Sequence, residues 1–216
     1  AGTLAAAHVA GSAPDGYTLI LASAPQLAIA AALQPNLTYD PHTDLVPVTW
    51  MVSTPFALFA SAASGLTDLP AVLARGRQEP GKVPFASPGN GSLGHLALEM
   101  MAQATNTEWL HVPYRGAAPA MNDMAAGTVA LTFTVPASAL PLVQAGRLKP
   151  IAIAAPQRSP AIPDMPTFAE LGLPQVDCQL WLGVMAPKAT PAPVIARLDA
   201  LFRDALADPA ARAALD

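Results

Sequence analysis

Short apolar runs alternate along the chain with segments in which apolar residues recur at the spacing of a helix. The apolar runs predict buried strands, because they are short and lie between turn residues; they cover residues 16–22, 55–61, 82–87, 108–113, 129–134 and 148–155. Helices are predicted over residues 69–78, 92–104, 117–126, 136–144, 166–171 and 194–207. Continuous apolar strands that alternate with helices indicate an α/β fold, in which a mostly parallel sheet is covered by helices.

The composition narrows the class of protein. Of the 216 residues, 52% are hydrophobic and 12% are charged, and the formal net charge is −4. The 11 lysines and arginines are scattered, which argues against a nucleic-acid partner, because phosphate binding needs clustered cations. No run approaches the roughly 18 uninterrupted apolar residues of a membrane span, so we expect a protein that is not membrane-embedded. The single cysteine, Cys178, lies in an apolar stretch, where a buried and inert thiol is expected.

The patterns that mark enzymes and metal sites are absent from the sequence. The four histidines, His8, His42, His95 and His111, form no H-x-x-x-H pair and have no acidic neighbour at the spacing of a metal ligand. There is no G-x-S-x-G nucleophile turn, no P-loop and no complete dinucleotide fingerprint. We therefore expect no enzymatic activity, no metal site and no cofactor.

The segment over residues 82–104 runs from a strand through a glycine-rich turn into a capped helix. Its candidate ligand-binding residues are Ser87, Gly89, Asn90, Gly91, Ser92 and His95. Free backbone N–H groups at such a turn and helix start stabilise an anion without any lysine. The alternative interpretation is a plain strand–helix connection in which Ser92 only caps the helix.

Other predicted strand ends also carry polar groups. Ser23 and Gln26 follow the first predicted strand, Arg115 lies in the turn after the fourth, and Thr134 ends the fifth. Arg115 could pair with a carboxylate through two hydrogen bonds, or it could be an exposed turn residue. Together these strand ends predict a shared polar cleft at the carboxyl edges of the sheets.

Seven segments, in order along nearly the whole chain, resemble a single protein family. They read APDGYTLILAS (13–23), LTYDPHTDLVPVT (37–49), PGKVPFASPGNGSLGHLALEMM (80–101), HVPYRGAAPAMNDMAAG (111–127), SALPLVQAGRLKPIAIAA (138–155), RSPAIPDMPTFAELGLP (158–174) and WLGVMAPKATP (181–191). These segments are similar to the Bug family, the TctC-like periplasmic substrate-binding proteins of tripartite tricarboxylate transporters.

The resemblance implies a type II periplasmic-binding-protein fold of two α/β lobes, each with a mostly parallel sheet flanked by helices. Lobe 1 would hold residues 1–60 and 184–216, and lobe 2 would hold residues 61–183. Family members capture a small organic carboxylate between the lobes and deliver it to the membrane permease subunits of the transporter. A periplasmic location is therefore expected. The same fold could instead present its bound state to a signalling partner such as a sensor kinase.

The resemblance also implies where the ligand binds. By motif position, the contacts fall on Ser23 and Gln26 in lobe 1, and on Thr134 and the six candidate residues of the 82–104 segment in lobe 2, with Arg115 beside them. Many members that are thought to bind amino acids carry Asp where Thr134 stands. A neutral hydroxyl cannot pair with an ammonium group as a carboxylate does, so we expect a ligand without a free amino group.

The ends of the chain form a separate expectation. Family members usually begin upstream of the Ala-Gly at residues 1–2 and continue beyond residue 216. The sequence therefore resembles a member that is truncated at both ends, and we expect that this chain alone does not form the complete binding site.

Overall fold

The structure is a computed structural model that describes residues 2–160 and 162–211. Its strands are β1 (Ile20–Ala22), β2 (Leu45–Pro55), β3 (Ala57–Ser61), β4 (Pro84–Ser87), β5 (Leu110–Pro113), β6 (Leu131–Thr134), β7 (Leu148–Ile153) and β8 (Gln179–Pro187). Its helices are α1 (Thr3–Ala10), α2 (Ala30–Leu33), α3 (Leu69–Gln78), α4 (Leu93–Thr105), α5 (Ala117–Ala126), α6 (Pro136–Gln144) and α7 (Ala192–Ala207). A π-helical turn, Pro25–Ile29, precedes α2.

The chain divides into two compact units. The first unit comprises Ala1–Ser53 and Trp181–Asp216, and the second comprises Thr54–Leu180. The chain passes from one unit to the other within β2 and returns within β8. The expected lobe 1 extends to residue 60, but β3 pairs with β6 and β7 and so belongs to the second unit. Residues 1 and 212–216, where the expected lobe 1 begins and ends, lie outside the described residues, as does residue 161.

The first unit is built on a sheet with the strand order β1-β8-β2, in which β1 runs antiparallel to β8. Ala6 and Val9 of α1 pack with Ile20 and Ala22 of β1. A separate cluster joins Val184 of β8 to the apolar stripe of α7. Of the apolar residues along α7, Ile195, Leu198 and Phe202 pack against this cluster, whereas Leu201 remains 46% exposed.

The second unit is built on a sheet with the strand order β5-β4-β6-β3-β7. Strand β4 is parallel to β5 and β6, but β3 is antiparallel to β6 and β7. The sheet is therefore mixed, and not mostly parallel as the apolar pattern predicts. The reason is that β3 is buried at all five positions, and a strand covered on both faces has the same continuous apolar pattern in either direction.

Helices cover both faces of the second unit's sheet. On one face, Leu98 and Met101 of α4 and Val72 of α3 pack with Leu58 and Phe85 of the sheet. On the other, α5 and α6 pack on alternate residues of the same strands. This alternation of buried residues follows from the period of two along a strand. The sheet's edge at the ends of β4, β5 and β6 is left for the connections into α4, α5 and α6.

Most predicted elements are present, and one is wrong. The helices over residues 69–78, 117–126 and 136–144 coincide with α3, α5 and α6. Residues 166–171 form turns instead of a helix. There, Thr167 makes a parallel bridge to Ile153, and its Oγ1 accepts a hydrogen bond from the backbone N–H of Glu170. Bonds of this kind offer the backbone an alternative to the helix.

Within residues 2–160 and 162–211, no helix has both the length and the apolar character that crossing a membrane requires.

Candidate functional site

The connection from β4 to α4, which we call the β4–α4 turn (residues 88–91), lies at one edge of the second unit's sheet. The strands β4, β5 and β6 run parallel, so their carboxyl ends meet at this edge. Ser87 ends β4, and Thr134 ends β6. The sequence therefore brings the polar ends of these strands together, as expected for ligand sites in open α/β sheets.

The Ser87 hydroxyl holds the start of this turn. Ser87 is fully buried, and its Oγ accepts a hydrogen bond from the Gly89 N–H over 3.1 Å. The same Oγ lies 3.2 Å from the Gly89 carbonyl oxygen and 2.6 Å from Nε2 of His111. The Ser87 hydroxyl has one proton: it donates to the Gly89 carbonyl when Nε2 of His111 carries a proton, and to either group when Nε2 carries none. In this arrangement Ser87 shapes the turn and presents no surface to a ligand.

The two glycines allow the turn to fold back on itself. Gly89 has a φ of +136° and Gly91 a φ of +69°, a region of backbone conformation that L side chains rarely adopt. A Cβ at Gly89 would also lie 3.2 Å from the Tyr114 carbonyl oxygen. Asn90 is exposed between them, at the tip of the turn.

The start of α4 offers backbone donors beside the turn. Ser92 is the N-cap, and its Oγ accepts from the His95 N–H over 3.3 Å. The backbone N–H groups of Leu93 and Gly94 lie in the first turn of α4. The helix has no carbonyl four residues before them, so they have no hydrogen-bond partner within α4. Together with the positive end of the helix dipole, these donors can stabilise an anion.

Two histidines stack beside the turn. The rings of His95 on α4 and His111 on β5 lie 4.0 Å apart at an interplanar angle of 7°. The Gly91 N–H donates to Nδ1 of His95 over 3.3 Å, and Nε2 of His95 lies 3.6 Å from Oε1 of Glu99. Burial, followed by the positive charge of protonated His95, lowers the pKa of His111, while Glu99 opposes this shift.

The sequence identifies His95 as a candidate but misses His111. His111 bonds with Ser87, which is 24 residues earlier in the chain, through the pairing of β4 with β5. Its position in the predicted strand over residues 108–113 was a usable signal, because the end of this strand was already expected at the site.

Thr134 and Arg115 differ in their surroundings. Thr134 is 8% exposed at the end of β6, at the edge that also holds the β4–α4 turn. Arg115 is exposed in the connection from β5 to α5. This connection is joined to the turn by a hydrogen bond from the Gly116 N–H to the Pro88 carbonyl over 3.2 Å.

Ser23 and Gln26 belong to the first unit, where their side chains bond to each other. The Oε1 of Gln26 accepts from both the N–H and the hydroxyl of Ser23, each over 3.1 Å. Ser23 follows β1 and is buried, and Gln26 lies in the π-helical turn. Gly2 leaves room for Gln26, because a Cβ there would clash with the Gln26 Nε2.

Comparison with known sequences gives a family match over residues 1–216, to the family described as tripartite tricarboxylate transporter family receptor (TctC). Protein BugT of Bordetella pertussis is 35% identical over 206 residues, which are 95% of this chain and 63% of BugT. The chain spans about three fifths of the length of the curated relatives that it matches first.

Solved structures match the fold closely. MatC of Rhodopseudomonas palustris, solved with bound malate, is 33% identical with a TM-score of 0.89, over 98% of this chain and 72% of MatC. Rpa4515 of R. palustris, solved with adipate, is 31% identical with a TM-score of 0.93, over 99% of this chain and 72% of that one. The predicted α/β fold is confirmed by this likeness.

Proposed function

Because the chain belongs to the tripartite tricarboxylate transporter receptor family, we propose that it binds a small organic carboxylate in the periplasm. We infer that it then delivers this ligand to the permease subunits of a transporter. The family is the one that the resemblance to the Bug proteins indicated. MatC and Rpa4515 were solved with malate and adipate, and because both are carboxylates they support a carboxylate as the ligand of this chain. The matched family is one of receptors, which agrees with the expected binding protein and not with an enzyme.

The β4–α4 turn and the start of α4 are the proposed site for one carboxylate group. The observation that carries this proposal is the combination of a glycine turn at the sheet edge with the uncapped N–H groups of Leu93 and Gly94. A carboxylate accepts strong hydrogen bonds from such donors, because its charge complements the helix dipole. Ser92 adds a hydroxyl at the same helix end.

The remaining candidates stay predicted contacts. Thr134 lies at the same sheet edge and would meet the part of the ligand beyond its first carboxylate. Arg115 could reach an anion from the neighbouring connection, since it is exposed and long. Ser23 and Gln26 would have to exchange their mutual hydrogen bonds for bonds to a ligand.

Calorimetric titration with malate, succinate and adipate tests the proposed function, and two glycine variants test the site. Gly91 and Gly146 have nearly the same positive φ, +69° and +68°. The substitutions Gly91→Val and Gly146→Val should therefore destabilise the folded protein to a similar extent, by about 1–2 kcal/mol. Only Gly91→Val should weaken carboxylate binding, by about tenfold or more, because its side chain obstructs the anion's approach.

Gly146→Val is the matched control, since a Cβ at Gly146 would meet nothing within 4 Å. Equal affinities for the two variants would place the carboxylate elsewhere. If Gly91→Val does not fold, Ser92→Ala provides a milder test, because it removes only the capping hydroxyl at a cost of about 1 kcal/mol. Failure of the full-length protein to bind any of these dicarboxylates would contradict the proposed function.

A further inference from the structure

The two stacked histidines hold the β4–α4 turn at both of its ends. Before the turn, the Ser87 hydroxyl lies 2.6 Å from Nε2 of His111. At the end of the turn, the Gly91 N–H donates to Nδ1 of His95 over 3.3 Å. The turn is thus attached at both ends to an imidazole ring, a group that can gain a proton.

The bond from Gly91 determines where His95 carries its proton. Because Nδ1 accepts a hydrogen bond, the neutral ring has its proton on Nε2, which faces Oε1 of Glu99 at 3.6 Å. A second proton can enter this ring only at Nδ1. It would then point at the Gly91 N–H, so that two donors would face each other without an acceptor.

An anion resolves this conflict, because it can accept hydrogen bonds from both donors. We propose that carboxylate binding at the β4–α4 turn takes up one proton from solvent onto Nδ1 of His95, so that His95 and the Gly91 N–H donate together to the ligand. The inference rests on the proposed function, since it needs a carboxylate at this turn. Glu99, on the opposite side of the ring, stabilises the resulting imidazolium.

The groups packed around His95 permit a single added charge. On α4, Glu99 carries the negative charge that pairs with it, and β4 contributes the neutral hydroxyl of Ser87. On β5, His111 stacks at 4.0 Å, where a second positive charge would be repelled. The lowered pKa of His111, caused by burial and then by the charge of His95, agrees with this order of protonation.

The connection after β5 contributes one cation, the exposed Arg115, and a phenol, that of Tyr114. Tyr114 donates its hydroxyl to Asp123 over 2.6 Å, and its backbone N–H bonds to the Ser87 carbonyl. Burial, the hydrogen bond to Asp123 and the charge of Asp123 raise the pKa of Tyr114 to about 12, so this phenol stays neutral.

Affinity for a carboxylate should therefore rise as the pH falls through the ordinary titration range of histidine. Between pH 8 and pH 6 the expected gain is about tenfold. Without proton uptake, affinity would stay level over this range, because the dicarboxylates malate and adipate remain largely ionised.

Calorimetric titration of the protein with adipate and with malate at pH 7, in two buffers of different ionisation enthalpy, measures the protons taken up. We expect a net uptake of roughly 0.3 to 1 proton per ligand. The variant His95→Asn keeps an acceptor for Gly91, since Oδ1 of Asn is placed like Nδ1 of His, but it cannot titrate. It should bind more weakly than the unmodified protein, with the same affinity at pH 8 and pH 6 and without proton uptake.

His42→Asn is the control, because it makes the same chemical change at an exposed position of the first unit. Binding without proton uptake, or uptake that survives in His95→Asn, overturns the inference and leaves the proposed function standing. Absence of binding by the full-length protein overturns the proposed function itself. Nitrogen NMR of the unmodified protein is a second test: a His95 ring that remains neutral in the adipate complex at pH 7 overturns the inference.

Discussion

Thr134 determines, in our interpretation, which class of carboxylate the site accepts. The residue is 8% exposed and carries an uncharged hydroxyl at the sheet edge that holds the β4–α4 turn. An ammonium group buried there would need a charged partner, because an unpaired ion loses much more hydration than one hydroxyl can replace. The expectation of a ligand without an amino group therefore stays a prediction, now with a definite location.

Succinate and aspartate test this prediction, because they differ by one ammonium group. We expect the protein to bind succinate at least about tenfold more tightly, since aspartate leaves a charge without a partner. Thr134→Asp should narrow or reverse this preference, and it serves as the matched variant. Tight and selective binding of aspartate by the unmodified protein would show that the interpretation of Thr134 is wrong.

Cys178 and His111 show which residue properties a sequence conveys. The predicted buried thiol is confirmed: Cys178 is 6% exposed, and burial, followed by the charge of Asp177, raises its pKa to about 11. An apolar neighbourhood is a local property, so it can be seen in the sequence. The bond between His111 and Ser87 depends on the pairing of two strands, and no local pattern specifies such pairing.

At the scale of elements, the contact of α3 with Trp109 is unusually close. Gly76 lies inside α3, and a Cβ there would come within 2.7 Å and 2.8 Å of two ring carbons of Trp109. Trp109 is held in place by a hydrogen bond from its Nε1 to Oγ1 of Thr107 over 2.9 Å. A glycine inside a helix costs about 1 kcal/mol relative to alanine, and here it makes room for the indole ring.

Gly76→Ala should therefore destabilise the protein by about 1–3 kcal/mol, although alanine is the better helix former. Trp109→Leu removes the obstructing ring, so in that background the same substitution should be neutral or stabilising. Urea unfolding of the two single variants and the double variant measures this coupling. Additive effects would mean that the ring and the helix do not constrain each other.

The elements themselves divide into those that the sequence predicts well and those that it does not. α3, α5 and α6 match their predicted ranges, because Pro70, Gly127 and Pro136 mark an end of each helix. Five of the six predicted strands start early, and the one predicted over residues 148–155 ends late, at a residue beyond β7. α1 is missed, because its run of alanines has no polar face and so no helical period.

At the scale of the molecule, acid acts on different groups of the two units. In the second unit, the pKa of His111 is lowered by burial and by His95, and that of Glu170 by the Thr167 N–H and then by Arg158. In the first unit, hydrogen bonds from Arg203 and then from Thr49 lower the pKa of Asp199. Each group has a lower pKa in the folded protein than in the unfolded chain.

A lowered pKa means that the unfolded chain binds protons at a higher pH than the folded protein does, so stability falls as the pH falls. For His111 this loss begins as the pH drops below about 6.5. For Glu170 and Asp199 it begins only below about pH 4, the ordinary range of carboxyl groups. The contribution of these two carboxylates is small, because both lie at the surface and solvent screens them.

We therefore predict that acid lowers the stability of the ligand-free protein in two stages, measured as the urea midpoint from pH 8 to pH 3. His111→Gln should shrink the first stage and leave the second, because glutamine can still bond to Ser87 but does not titrate. His42→Gln, at an exposed site of the first unit, should leave both stages intact. A first stage of unchanged size in His111→Gln would assign it to another group. An unmodified protein with a constant midpoint between pH 8 and pH 5 would show that burial of His111 imposes no cost on its protonation.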